Sequence, residues 1–317
     1  MNTASRVTGF VVALAAVFAL ALGAGRAVGP DAQPKAPAHD THAADAPDTD
    51  APDTAQGASD EPAELPGGLM ISRDGYTLAL SEPSAAAGVD VPVLFAITGP
   101  DGERVTAYDV AHEKRLHLIA VRRDFTGFQH VHPELSPDGT WSAALDLTPG
   151  QWRLFADFKA TAAQALTLGA DLAVAGSYRP GPPVEESRTA EVDGYRVTLD
   201  GALAAGEEAE LTLSVEQGGA PVTDLEPYLG AYGHLVALRS GDLAYLHVHP
   251  EGTPDDGATR SGPEVVFYAA VPSAGTYHLY LDFKHRGVVR TAAFTVSTSG
   301  TAVPARTAEP DDGHTDH

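Results

Sequence analysis

The sequence predicts an all-β protein: two tandem immunoglobulin-like or cupredoxin-like β-sandwich domains from an internal duplication, after an N-terminal hydrophobic helix and a disordered linker. Three observations predict it. Two stretches match without a gap at an offset of 117 residues, HLIAVRRDFTGFQHVHPE from His117 and HLVALRSGDLAYLHVHPE from His234, with nine of eighteen positions identical. The apolar runs inside each copy are short, rich in Val, Leu, Phe and Tyr, and separated by Gly, Pro or Asp turns. Neither copy carries a helix-length 3.6-residue periodicity.

The elements follow in chain order. Residues 1–27 contain an uncharged apolar run, 9–25, that reads as a secretory leader or a short membrane anchor. Ala19-Leu20-Ala21 offers a cleavage pattern, while Arg26 equally suits the flank of a retained helix. Either way the chain is expected outside the cytoplasm, anchored or secreted. Residues 28–66 are Ala, Pro, Asp and Thr with nine acidic residues against Lys35, which describes a self-repelling tether. The first sandwich spans 67–178, a linker 179–190, the second sandwich 191–298, and an acidic tail 299–317. His39, His42, His314 and His317 in the two tails read as solvated residues.

In the first unit the runs predict strands near 70–81, 91–98, 115–123, 128–132, 140–147, 151–159 and 166–175, and the second copy predicts a matching set. Alternation in 151–159 sends Trp152, Leu154, Ala156 and Phe158 to the core and Arg153, Phe155, Asp157 and Lys159 to the other face. The second copy repeats this, with Tyr277, Leu279, Leu281 and Phe283 opposing His278, Tyr280, Asp282 and Lys284. Strand 115–123 is apolar on both faces, so its sheet is expected to be covered by the other domain or by a partner.

Composition excludes several classes. The chain has no Cys and two Met, which removes disulfides, iron–sulfur clusters, blue copper and a thioether site for Cu(I). A net charge of -23 makes nucleic acid a poor partner and cations good ones.

Thirteen His in this background is a high share. Residues two apart on a strand share a face, so His130 and His132 point to one side about 6.5 to 7 Å apart, as do His247 and His249. A hairpin through Asp124–Gly127 that pairs Arg123 with Phe128 puts Glu134 opposite His117 and brings His117 and His132 together. The same arithmetic groups His234 with His247, His249 and Glu251. Each trio is a candidate metal site suited to Cu(II) or Zn(II). Glu134, Asp157, Glu251 and Asp282 are candidates to orient the imidazoles from behind. His112 and His278 lack a counterpart in the other copy and are weaker candidates. The alternative is that each HVHPE is a structural corner, with Pro133 and Pro250 ending a strand.

The two HVHPE hairpins, the HL-[IV]-A start of each preceding strand and the DFK end of the later strand resemble a largely uncharacterised family of exported actinobacterial proteins with repeated HxHP β-sandwich units. Its members are described loosely as heavy-metal-binding or copper-associated. The resemblance covers about 68 to 298, and it implies metal binding without supplying a catalytic residue to transfer.

Three functions follow as expectations. The first is an extracytoplasmic metal-binding protein for buffering or delivery, whose affinity falls as pH drops through about 6.5 because a ligating imidazole must be neutral. The second is a membrane-anchored adhesion or scaffold module with structural histidines and an extracytoplasmic protein partner. The third, a zinc-dependent hydrolase, has no supporting HExxH, nucleophile elbow or paired carboxylates, and the expectation is that the chain is not an enzyme.

Overall fold

The computed structural model describes residues 65–182, 184–246 and 248–298. These belong to one compact unit, Pro62–His317. The apolar run 9–25, the two acidic tails and His247 lie outside the described residues, and no helix among the described residues is long and apolar enough to cross a membrane.

Every regular element described is a strand, as the short punctuated runs predict. The first repeat is two five-stranded sheets. One runs Ser72–Arg73, Tyr76–Leu80, Gly88–Thr98, Thr140–Leu147, Glu134–Leu135, and the other runs Ser84–Ala86, Ala165–Ala175, Gly150–Lys159, Leu116–Arg122, Gln129–Val131. The second repeat pairs a six-stranded sheet with a four-stranded one, Tyr245–Leu246, His234–Arg239, Thr276–His285, Val288–Ser297. Equivalent hairpins open the two repeats. Asp74-Gly75 and Asp193-Gly194 each form a two-residue turn with φ of 53° and 82°, and of 48° and 78°. Double positive φ is what an Asp-Gly tight turn supplies, and its twist matches that of the flanking strands.

Alternation fills each core as expected. Trp152, Leu154, Ala156 and Phe158 join Phe95 and Trp141 in the first core, and Tyr277, Leu279, Leu281 and Phe283 join Tyr195 and Phe267 in the second. The opposite faces meet each other. Ile119, Val121 and Phe155 of the first repeat pack on Val236, Leu238, Tyr245 and Tyr280 of the second, forming a third core between them. Ile119, Val121 and Phe128 stand at the positions that Val236, Leu238 and Tyr245 hold in the second copy, so the interface is approximately self-complementary. Its aromatics show this directly: Phe128 stacks on Tyr280 at 3.9 Å, and the reciprocal pair Phe155 and Tyr245 lies at 5.8 Å. The doubly apolar strand Leu116–Arg122 is therefore covered by the other repeat.

The segment before the first strand is stitched into this junction. Tyr245 N–H donates to Gly67 O at 2.9 Å, Gly68 N–H to Thr167 O at 2.8 Å, and the Arg153 guanidinium to Gly68 O at 2.6 Å. Beside it opens a cleft of about 820 Å³ lined by Asp157, Thr167 and Tyr245. A Cβ at Gly169 would lie 2.0 Å from Gly68 O and 2.6 Å from the Arg153 guanidinium. Gly169→Ala is accordingly expected to displace the strap and cost about 1–3 kcal/mol by overpacking. Urea denaturation checks this, and an unchanged midpoint would contradict it.

Candidate metal centre between the repeats

Each candidate imidazole is held by a strand or by the turn that leads into one. Strand Leu116–Arg122 begins beside a tight turn, Ala111–Lys114, whose two central residues, His112 and Glu113, take φ of 47° and 64°. Tyr228–Ala231 makes the same turn in the second repeat, with Leu229 and Gly230 at φ of 58° and 81°. Strand Gln129–Val131 pairs with Leu116–Arg122 so that His130 faces Ile119. This is two residues from the register expected, in which Arg123 paired with Phe128. An even slip preserves the face, so His130 still shares a side with His117. On the other flank His117 pairs with Asp157, and His234 pairs with Asp282 at the equivalent register.

The faces that meet across the interface bring these residues into one cluster. Donor nitrogens of His117, His130 and His234 lie within 4.8 Å of one another. Equivalent residues His117 and His234 stack with centroids 5.6 Å apart and planes 8° from parallel. His132 stands at 5.1 Å from His117 and 4.9 Å from His130, ring centre to ring centre. His112 closes the group at 6.1 Å from His117 and 5.8 Å from His234. The centre is deeply set: His117 is 3% exposed, and the side chains of His130 and Asp282 are 1% and 3% exposed.

Outer partners fix the tautomers of two rings. Ala111 O can only accept, so the 3.1 Å contact from His117 Nε2 puts the proton on that nitrogen. Asp282 Oδ1 accepts from the Thr291 hydroxyl at 2.5 Å, and its Oδ2 accepts from His130 Nδ1–H at 2.8 Å. The remaining nitrogens, His117 Nδ1 and His130 Nε2, face each other at 3.1 Å, and in the neutral form of both rings each carries a lone pair. Two bare lone pairs at that distance repel unless a proton or a metal ion lies between them. The separation is close to the roughly 3.3 Å between ligand nitrogens of a tetrahedral ion with bonds of about 2.0–2.1 Å. His132 Nε2 is buried without a hydrogen-bond partner, a further uncommitted donor atom aimed into the protein.

Burial and mutual proximity keep these rings neutral. Desolvation, then the neighbouring His130, lowers His117 to about 4. Desolvation, then His130 and His117, lowers His132 to about 3. His234 is pushed well below the usual imidazole range by burial and by the surrounding histidines. At neutral pH these three rings are unprotonated and available as donors. The proton competition anticipated near pH 6.5 therefore moves to more acid conditions for three of the four buried rings.

Asp157 occupies the place in the first repeat that Asp282 occupies in the second, and each accepts a hydrogen bond from an equivalent threonine, Thr167 at 3.1 Å and Thr291 at 2.5 Å. Its surroundings differ. Part-buried Asp157 lines the inter-repeat cleft, and desolvation of its carboxyl raises it to about 6 against the opposing hydrogen bond of Thr167. Of the two, it is Asp282 that reaches an imidazole of the cluster.

Other expected residues part from the cluster. Instead of two separate trios, His234 joins the first-repeat histidines in one shared group. Glu134 lies exposed on a short strand paired with Thr140–Leu147 in the opposite sheet, away from His117. Glu251 is exposed, and its carboxylate raises the neighbouring Tyr268 hydroxyl. His249 sits exposed on Val248–Pro250, where it pairs with Tyr268 in the six-stranded sheet. The cause is a change of sheet: Tyr245–Leu246 pairs with His234–Arg239, but two residues later the chain pairs with Glu264–Ala270. Position 247 falls between these strands and outside the described residues. His278 is separate, stacked on Phe125 at 3.7 Å and bonded to the Thr295 hydroxyl at 3.1 Å. The Ala111 carbonyl and the two threonines were not expected, and the only sequence signal for the threonines is their equivalence between copies.

A family model described as a domain of unknown function, DUF8832, matches the chain twice, over residues 71–176 and 190–300. No curated protein matches it. Among solved structures, a DUF4426 family protein of Pseudomonas aeruginosa PAO1 aligns with 35% of this chain and 96% of its own at 8% identity and a TM-score of 0.25. The adhesin FdeC of Escherichia coli aligns over 72% of this chain and 65% of its own, with 15% identity and a TM-score of 0.23. InvD of Yersinia pseudotuberculosis aligns over 76% and 62%, with 14% identity and a TM-score of 0.22. Scores of this size carry no argument about function. With more than half of its length covered by two consecutive matches, the chain belongs to the DUF8832 family.

Proposed function

We propose that this chain is an extracytoplasmic metal-binding protein that holds one Cu(II) or Zn(II) ion between its two repeats and serves metal buffering or delivery. The observation that carries this reading is the 3.1 Å approach of His117 Nδ1 and His130 Nε2, whose outer hydrogen bonds each engage the opposite nitrogen of the ring. A cation between them turns a repulsive contact into two ligand bonds. His117, His130 and His234 supply three donors, and the unpartnered His132 Nε2 is the candidate fourth. Imidazole nitrogen suits borderline divalent metals, and the absence of Cys with only two Met disfavours Cu(I). Four imidazoles complete a tetrahedral ion and leave no position for an activated water, which supports a binding role over hydrolysis. Export is inferred from the apolar run 9–25, with membrane contact through that run if it is retained.

A second reading, a tandem sandwich scaffold with an extracytoplasmic protein partner, is favoured by the apolar junction of Ile119, Phe155, Val236 and Tyr280, which joins the repeats without any ion. Electron paramagnetic resonance of the chain loaded with one equivalent of Cu(II) separates the two. The metal reading predicts nitrogen superhyperfine coupling from three or four imidazoles, abolished in His117→Ala. An oxygen-dominated spectrum insensitive to that change would favour the scaffold.

The same burial predicts an acid-labile apo fold. His117, His132 and His278 are held at about 4, about 3 and about 4, and an unfolded imidazole sits near 6.5. As pH falls from 6.5 toward 4 the unfolded chain takes up protons that these rings refuse, so their contribution to stability, fully present above 6.5, is lost. Each contributes a slope of about 1.4 kcal/mol per pH unit at most. Asp157, raised to about 6, opposes this, because the folded state takes up its proton first. Several imidazoles outweigh one carboxyl, and urea midpoints of the metal-free chain are expected to decline steadily from pH 7 to 4.5. A flat or rising profile would contradict the assignment.

A further inference from the structure

We propose that His112 is the exchange ligand of this centre, the imidazole through which a divalent cation passes between solvent and the buried donors. The proposal rests on the metal-binding reading above. His117 and the side chain of His130 are almost fully enclosed, so an ion that reaches them must shed water along the way, and a donor at the surface lowers that barrier. His112 has the required position. It belongs to an exposed residue, yet its ring lies 6.1 Å from His117 and 5.8 Å from His234, on rings from both repeats. A rotation of one side chain moves its nitrogen between solvent and the cluster.

The turn that carries it is also unusual. His112 and Glu113 both adopt positive φ, a conformation that L side chains avoid, and the strain sits beside the site rather than at a distant loop. The equivalent turn in the second repeat places Leu229 where His112 stands, and Leu229 is buried. The imidazole therefore belongs to one mouth of an otherwise duplicated junction. The residue before it supplies the carbonyl that fixes the His117 tautomer, so the turn both presents the outer ring and orients an inner one. Exposed His249 lies close enough to influence His112 electrostatically, which places a second imidazole on the approach.

The test measures kinetics on the full chain loaded with one equivalent of Zn(II), following transfer to a chromophoric chelator and reloading of the apo protein by stopped flow. Two variants guard against a folding artefact: His112→Leu, for which Leu229 shows that the turn accepts the side chain, and His112→Asn, which tolerates positive φ. Loading and release are both expected to slow by about tenfold or more. Because both rates fall together, the equilibrium affinity is expected to change by less than about threefold. Rates within about twofold of wild type would overturn the proposal, and so would faster release with lost affinity, the mark of a permanent ligand. A wild-type chain that takes up no Zn(II) would overturn the metal reading and this proposal together, a result distinct from a wild type that loads while the variants exchange normally.

Discussion

His234→Ala is expected to abolish tight metal binding, although every histidine of the first repeat remains. The reason is geometric. The three donor nitrogens within 4.8 Å of one another come from both repeats, so neither repeat contains a complete set. Removing an outer partner of a ligand costs metal affinity roughly 10- to 100-fold, and loss of a donor itself is expected to exceed about 100-fold. The change is mild for the fold. His234 starts its strand at the rim of the inter-repeat core, and alanine leaves the apolar contacts of Val236, Leu238 and Tyr280 intact. Isothermal titration with Zn(II) or Cu(II) checks the outcome, beside circular dichroism to verify folding. Half of the wild-type stoichiometry at unchanged affinity would instead describe two independent sites.

Asp282→Ala is expected to weaken both the fold and the site. Its carboxylate joins the repeats through the cluster, accepting from Thr291 within its own repeat and from His130 across the interface. Alanine leaves the buried His130 Nδ1–H without an acceptor, at about 1–3 kcal/mol, while the exposed Thr291 hydroxyl turns to solvent. It also frees His130 to adopt the other tautomer, which turns a proton toward His117 in place of a lone pair. The expected results are a loss of about 1–3 kcal/mol in urea unfolding and a further loss of metal affinity of about 10- to 100-fold. Asp282→Asn separates the two effects, since an amide oxygen can accept one of the two hydrogen bonds but carries no charge. Wild-type stability and affinity in Asp282→Ala would show that the carboxylate plays no part in orienting the ring.

Much of this arrangement was legible in the chain itself. Six of the seven expected runs of the first repeat correspond to single strands, whereas the run 70–81 is a hairpin of Ser72–Arg73 with Tyr76–Leu80 because Asp74-Gly75 turns the chain; the alternation of Trp152 to Lys159 assigned core and outer faces correctly. Convergence of His117 with His130 and His132 survived a two-residue error in register because side-chain direction repeats every two residues. An odd slip would have broken it. Strand Leu116–Arg122, apolar on both faces, announced that something covered it.

What covered it was not readable, and the misplaced features follow from that. A register argument works inside one hairpin and carries no information on how two domains meet, so His234 was assigned to a trio of its own. The change of sheet between Leu246 and Val248 is a tertiary event that local patterning does not mark, and it puts His249 and Glu251 beside the six-stranded sheet instead of on the strand that pairs with His234–Arg239. Glu134 leaves its expected place for the same reason, at the equivalent crossing of the first repeat. His112 is a weaker candidate in the sequence because it has no counterpart in the other copy, and the positive-φ turn that sets its ring beside His117 and His234 is not suggested by Ala, His, Glu and Lys.

The most direct test of a single site shared by the repeats is metal stoichiometry. The untagged chain is prepared apo and equilibrated with limiting Zn(II) or Cu(II), and bound metal is counted by elemental analysis beside a His130→Ala, His234→Ala variant whose folding is verified. The double variant retains His39, His42, His314 and His317, so loose binding by the tails appears equally in both. One tightly held equivalent per chain, absent from the folded variant, is the result this account predicts. Two equivalents, or metal retained equally by the variant, would contradict it.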